Sequence, residues 1–233
     1  MSEEQVVMES SSPRPFGEIP GLWLQIFQMT EDFFRREAPR ASGSNALISV
    51  LIMTAISIVF STITTLVGTG LQATMVPAEM QGEMFAVTGS AVVYSICCGA
   101  ILYPVAFYLG SGVLYLIARL FKGEGDFNTQ VYLQSLYTVP IGAVSAALSL
   151  VNLIPFAGQA VFGLASLFVG AYIFVLTVRM LKVVHNIPQG RAVAVLLAPL
   201  IIPVAVACVV VMMLVLMGPT IGEVFSNIIS SYP

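Results

Sequence analysis

The side chains in this sequence that could carry chemistry gather in two short polar stretches. The first is Arg119-Leu-Phe-Lys-Gly-Glu-Gly-Asp-Phe-Asn-Thr-Gln130. Gly123 and Gly125 would permit a tight turn with positive φ, and Asp126 or Asn128 would cap a following helix by accepting from its free N–H groups. The second runs from Arg179 to Arg191 and holds His185, the single histidine of the chain. With no Cys, Asp or Glu beside it, His185 makes a poor metal ligand. The expected role is to cap the preceding helix C-terminus, where positive charge is favoured. Gly110-Ser111-Gly112 has no base to activate its serine and reads as helix packing. No H-E-x-x-H, G-x-S-x-G or phosphate-cradling loop occurs. No Asp, Glu, Lys, His or Arg falls near an expected bilayer midplane, where proton relays and ion pathways need such groups. We therefore expect no enzyme, no catalytic residues, no cofactor and no metal.

The elements that must position these stretches follow from composition. The chain is 58% hydrophobic and 9% charged, against roughly 25% charged in soluble domains, so an all-α integral membrane protein is expected. The net charge of −3, with acids gathered at the N-terminus, gives no reason to expect nucleic acid. Cys97, Cys98 and Cys208 lie in apolar runs and read as small hydrophobes. No apolar leader precedes the first span.

Two apolar runs, 131–154 and 157–181, are each about 24 residues long, roughly 36 Å as helix, enough to cross a hydrocarbon core of about 30 Å. Pro155 and Phe156 alone separate them, so they form an antiparallel hairpin. Its open ends are basic and its tip uncharged, which places the open ends in the cytosol. Residues 46–67 form the first span, preceded by Arg35, Arg36 and Arg40. The segment 84–121 is long enough for two crossings. A single crossing keeps all 9 Lys and Arg residues on one side, and two would not. We therefore expect one long span, kinked near Pro104, Gly110 and Gly112, with 84–93 either re-entrant or an external extension.

With 192–217, this makes five transmembrane helices, a cytosolic N-terminus and a C-terminus on the external side. Residues 1–18 read as a disordered tail and 218–233 as an external tail. In 19–38, Leu22, Trp23, Ile26, Phe27, Phe33 and Phe34 recur every three to four residues between polar ones. That spacing predicts an amphipathic interfacial helix with Trp23 and the phenylalanines dipped into lipid. Pro140 should free a carbonyl near Leu136 that Gln134, Ser135 or Tyr137 could satisfy. Small residues at Gly142/Ala146, Ala143/Ala147, Gly163, Ala165 and Gly170 would let helices approach closely.

Between Ala106 and Val204 the chain resembles the Yip1 family. The resemblance rests on Arg119 to Phe127, read against the family's Gly-rich loop ending in an aromatic residue, and on Tyr137-Thr-Val-Pro140. It continues through Ile154-Pro155-Phe-Ala-Gly158, the helix end Leu-Lys-Val-Val-His185, and Arg191-Ala192. The resemblance implies five spans with a cytosolic N-terminus and no known catalysis. It marks Arg119, Gly123, Gly125, Asp126, Phe127, Tyr137, Pro140, Pro155, Gly158, His185 and Arg191 as a partner-docking or structural motif. Eukaryotic members bind small GTPases in vesicle traffic. The short N-terminal region, and Lys122 where the family often has glycine, make the sequence look more like prokaryotic members.

The expected function is a non-enzymatic membrane scaffold or adaptor in membrane organisation or trafficking. Its expected partners are the lipid bilayer and a cytosolic protein (a small GTPase only in a eukaryotic host), and a homo-oligomer is compatible. The location would be the plasma or inner membrane of a prokaryote, or the ER or Golgi of a eukaryote. The alternative, a transporter or channel for a small uncharged solute, is suggested by the Ser/Thr-rich first span and by prolines 104, 140, 199 and 203.

Overall fold

The computed structural model describes the backbone of residues 13–154 and 157–230; Pro155 and residues 1–12 of the expected tail lie outside the described residues. Every regular element of the described chain is helical. Two short helices, α1 (Ile19–Trp23) and α2 (Glu31–Glu37), form an N-terminal collar. Five long ones follow: α3 (Gly43–Ala73), α4 (Ala78–Leu120), α5 (Phe127–Leu148), α6 (Gly158–His185) and α7 (Gln189–Ser230).

Four stretches among the described residues, Gly43–Ala73, Ala78–Leu120, Phe127–Leu153 and Gly158–His185, are long and apolar enough to cross a membrane. The expected fifth span, 192–217, falls in α7, many of whose side chains lie outside the described residues. The helix of α7 continues to Ser230, through most of the segment read as an external tail.

The helices start where local chemistry starts them. Ser42 is extended and its Oγ accepts from the Asn45 N–H, opening α3. Asp126, not Asn128, does the same for α5 by accepting from the Thr129 N–H at 3.0 Å. Asn186, with φ 52°, ends α6 in the left-handed conformation. That residue type tolerates it, and it commonly closes a helix. α4 is one unbroken helix of 43 residues through Pro104, roughly 64 Å long. The re-entrant alternative for 84–93 is thereby corrected: those residues continue the helical ladder.

Burial is lopsided. On α4 the buried residues are Ser111, Ile117 and Ala118, all near its C-terminus. On α3 they fall within 45–54, with Ala73 besides, on α5 within 130–141, and on α6, apart from Gly158, within 176–185. All but Ala73 and Gly158 belong to one end of the bundle. Toward the other end the helices present Val87, Val93, Leu164 and Phe168 outward. Lipid is as apolar as leucine, so helices have little to gain by burying such side chains against one another. Tight packing is needed where the bundle meets water.

At that end the collar completes the core. Ile19, Leu22, Met29, Phe33 and Phe34 are buried in the core cluster, the collar packing against α5 and α6. The continuous amphipathic helix expected over 19–38 is therefore corrected. It breaks into α1, a 3-10 turn at Ile26–Gln28, α2 and a second such turn at Ala38–Arg40. Phe33 and Phe34 point into protein, and it is Leu24 and Phe27 that are 87% and 89% exposed.

Polar contacts tie the collar down. Arg14 grips Glu37 through two bonds of 2.6 and 2.9 Å, and its carbonyl accepts from Asn45 Nδ2 at 2.7 Å. Arg179 donates to the Met29 carbonyl at 3.3 Å, and Lys182 pairs with Glu31. Residues 13–18, expected to be part of a disordered tail, are held by these bonds and a 3-10 turn at Phe16–Glu18.

Candidate functional site

The basic end carries the polar residues singled out above, and the structure gives most of them packing duties. α4 runs out at Leu120, and Lys122 then takes φ 65°. Gly123 and Gly125 do not have positive φ, so the expectation about their conformation is corrected. They are needed for proximity. A Cβ on Gly123 would sit 2.8 Å from His185 Cβ and 2.9 Å from the Ala118 carbonyl oxygen; one on Gly125 would sit 2.5 Å from the Val184 carbonyl oxygen. The loop thus lies flat on the end of α6, held by Gly123 N–H to the Ala118 carbonyl at 2.9 Å and Glu124 N–H to the His185 carbonyl at 3.2 Å. Lys122 is the strained residue of this turn, because a Cβ crowds the left-handed region. Lys122→Gly should therefore stabilise the protein by about 1 kcal/mol, read as a melting midpoint a few degrees higher for the full chain in detergent.

Beneath the loop lies a polar ladder inside otherwise apolar packing. His185 Nε2 meets Gln130 Oε1 at 2.8 Å, and Gln130 Nε2 donates to the Ser111 carbonyl at 2.8 Å. The Ser111 hydroxyl is shared between the Phe107 carbonyl at 2.7 Å and Gln134 Oε1 at 3.0 Å. Because Gln130 uses its N–H on Ser111, its oxygen must accept, so His185 carries its proton on Nε2. Nδ1 is then a bare lone pair facing the two glycines, and it is buried without a partner among the described residues.

A second proton would have no acceptor there. Burial, with the Arg119 charge adding to it, lowers the His185 pKa from 6.5 to about 4. The expected cationic cap is corrected: His185 is neutral and serves as a buried platform, while Asn186 closes the helix.

The remaining motif residues fall into place around this ladder. Arg119 stacks 5.3 Å from the Tyr115 ring centre and donates to the Tyr115 hydroxyl at 3.0 Å. Tyr115 in turn meets Phe127 edge-on at 5.5 Å and His185 at 5.8 Å. Tyr137 is buried, bonded to Thr177 at 3.0 Å and edge-on to Phe34 at 6.2 Å. Gln134, Ser135 and Tyr137 therefore bond elsewhere than the Leu136 carbonyl, Ser135 donating to the Tyr132 carbonyl at 2.7 Å. Gly158 sits at the opposite end, where a Cβ would come within 2.2 Å of the Val151 carbonyl oxygen. Arg191 is exposed in the first turn of α7. Gly142 lets Met53 of α3 press against α5, whereas Gly163 and Gly170 have nothing within 4 Å of an added Cβ. Of the close approaches expected at those glycines, one is realised.

What a partner could touch is different from the motif itself. Gly123, Gly125, Tyr137 and His185 are buried, while Lys122, Glu124, Asp126 and Asn128 are exposed. The bonding roles of Gln130, Gln134 and Ser111 were not anticipated from the sequence. Polar residues four apart on an apolar helix, which must find partners away from water, were the signal for the two glutamines.

The hydroxyls of α3 that suggested a solute path in part bond back to their own helix, Thr54 to the Val50 carbonyl and Thr64 to the Phe60 carbonyl at 2.8 and 2.9 Å. Among the described residues no three His, Cys, Asp or Glu side chains cluster to hold a metal.

We found no match among the curated proteins or the solved structures. A family profile described as the Yip1 domain matches residues 24–219, from the collar through most of α7. With apolar helices long enough to cross a bilayer and a match over most of its length, this chain belongs to the Yip1 family of multi-pass membrane proteins.

Proposed function

We propose that the protein is a non-enzymatic scaffold or adaptor in membrane organisation or trafficking. It spans the bilayer five times, with its N-terminus in the cytosol and its C-terminus outside. The observation that carries this reading is the concentration of order at one end. The tight core, the collar and the polar ladder lie there, together with every lysine and arginine. A bundle whose packing serves to hold a rim of exposed side chains rigid suits a docking platform, and the cationic end is the one that stays in the cytosol.

The rim offers Lys122, Glu124, Asp126 and Asn128 to a soluble partner, which would be a small GTPase only in a host that has one. Reversing Lys122 and Glu124 together (Lys122→Glu, Glu124→Lys) leaves the buried glycines in place. Proteins captured with the full chain from detergent extracts should be lost from this double variant while its melting midpoint stays the same. An unchanged set of captured proteins would remove the docking role.

A further inference from the structure

Behind the collar lies a cleft that neither the packing nor the docking rim uses. Its volume is about 630 Å³, and it is lined by Arg14, Arg35, Arg36, Arg40 and Glu37, over an apolar floor that includes Phe33. The single carboxylate among the lining residues is already engaged, because Glu37 accepts both bonds from Arg14. Arg14 also pairs with Glu18 at 2.6 Å.

Arg35 and Arg36, in the last turn of α2, are exposed and make no ion pair among the described residues. Each guanidinium carries a planar fork of donors that matches phosphate oxygens, and both line the same cleft.

We propose that this cleft binds a phosphate-bearing anion through Arg35 and Arg36. The geometry points to an anionic lipid headgroup as its source. The same collar exposes Leu24 and Phe27, at 87% and 89%, and such side chains belong at the boundary of headgroup and acyl chain. A cleft on the neighbouring face of the collar then sits at headgroup depth, where each basic residue near an anionic surface gains about 1 kcal/mol. The site itself stands on the arginines alone. Only the lipid source rests on the membrane orientation proposed above, so a failure of that orientation would leave a soluble phosphate as the ligand.

The test uses the full chain in a neutral detergent and the emission of Trp23, its 1 tryptophan, which follows the cleft residue Leu22 in α1. Dioctanoyl phosphatidylglycerol is titrated against dioctanoyl phosphatidylcholine of equal chain length, with inorganic pyrophosphate as the soluble arm. The phosphatidylglycerol affinity should exceed that of phosphatidylcholine and weaken with added salt. It should fall at least tenfold in Arg35→Gln/Arg36→Gln, whose unliganded melt should match the native one. The Arg35→Lys/Arg36→Lys pair should recover part of the affinity, since charge remains while the planar fork is lost, and it keeps the test open if the glutamine pair folds poorly. Loss of phosphatidylglycerol binding in the glutamine pair supports a membrane source. Pyrophosphate binding that is lost in the same variant, without a lipid preference, supports the site with a soluble source. Equal binding of phosphatidylcholine and phosphatidylglycerol without pyrophosphate binding, or affinities unchanged in both variants, would overturn it.

Discussion

Gly125→Ala should lower the stability of the full chain by about 3 kcal/mol, the upper range for forcing an extra methyl into filled space. The added Cβ would stand 2.5 Å from the Val184 carbonyl oxygen, 2.6 Å from Val184 Cγ1 and 2.8 Å from His185 Nδ1. The first of these is backbone at the end of α6, and it cannot rotate aside. The loop cannot lift away cheaply either, because the neighbouring Glu124 N–H donates to the His185 carbonyl at 3.2 Å. Relief requires breaking that bond and opening the polar ladder beneath it to water. At roughly 2–4 °C per kcal/mol for a protein of this size, the melting midpoint in detergent should drop by about 10 °C. Gly110→Ala is the matched control. Nothing lies within 4 Å of its added Cβ, and alanine is the better helix former by about 1 kcal/mol, so its midpoint should hold or rise. Equal midpoints for the two variants would mean that the loop does not lie on α6.

The contrast between these two glycines shows where reading a sequence succeeds and where it stops. Apolar runs of about 24 residues declare themselves locally, because bilayer thickness sets a length that composition reports without knowledge of neighbours. The parity of basic residues along the chain is likewise a local count, and in the structure the contacts of Arg14, Arg179 and Lys182 with the collar gather those three residues together. Asp126 was legible as a cap because capping is decided within four residues.

Gly125 and Gly110 look alike on paper. The difference between them is the backbone of α6 at Val184, far along the chain from Gly125. The left-handed residue of the turn is Lys122 beside a glycine that could have taken that role. Nothing in a residue list tells which of two neighbours will be strained. The collar failed for a related reason. Its period of three to four residues was real, but the apolar stripe faces protein, and periodicity names a buried face without naming what buries it.

The fate of His185 was the least legible feature, and it supplies the second prediction. A histidine at a helix end invites a positive charge, yet here burial and the Arg119 charge oppose one. Arg119 and Tyr115 approach from α4, Gln130 from α5, and the two glycines cover Nδ1 without offering an acceptor. The folded chain therefore keeps the ring neutral down to a pKa of about 4, whereas the ordinary value is 6.5.

Between those two values the unfolded chain binds the proton and the folded chain does not, so stability must fall as pH falls through this window. Above it, the contribution is constant. The melting midpoint of the native chain should be flat from pH 7 upward and should decline from about pH 6.5 toward pH 4. Carboxylates in general titrate toward the lower limit, so the informative quantity is the difference from His185→Gln, which cannot titrate. That difference should narrow steadily as pH is lowered.

At neutral pH, His185→Ala should cost about 3 kcal/mol, from the cavity left under the loop together with a Gln130 oxygen deprived of its donor. His185→Gln should cost less, since an amide can still donate toward that oxygen. If the native chain and His185→Gln lose stability in parallel from pH 7 to pH 4, the imidazole is not held neutral. The ladder from His185 through Gln130 to Ser111 would then have to be hydrated, and the loop that rests on it would no longer be the rigid rim on which a docking role depends.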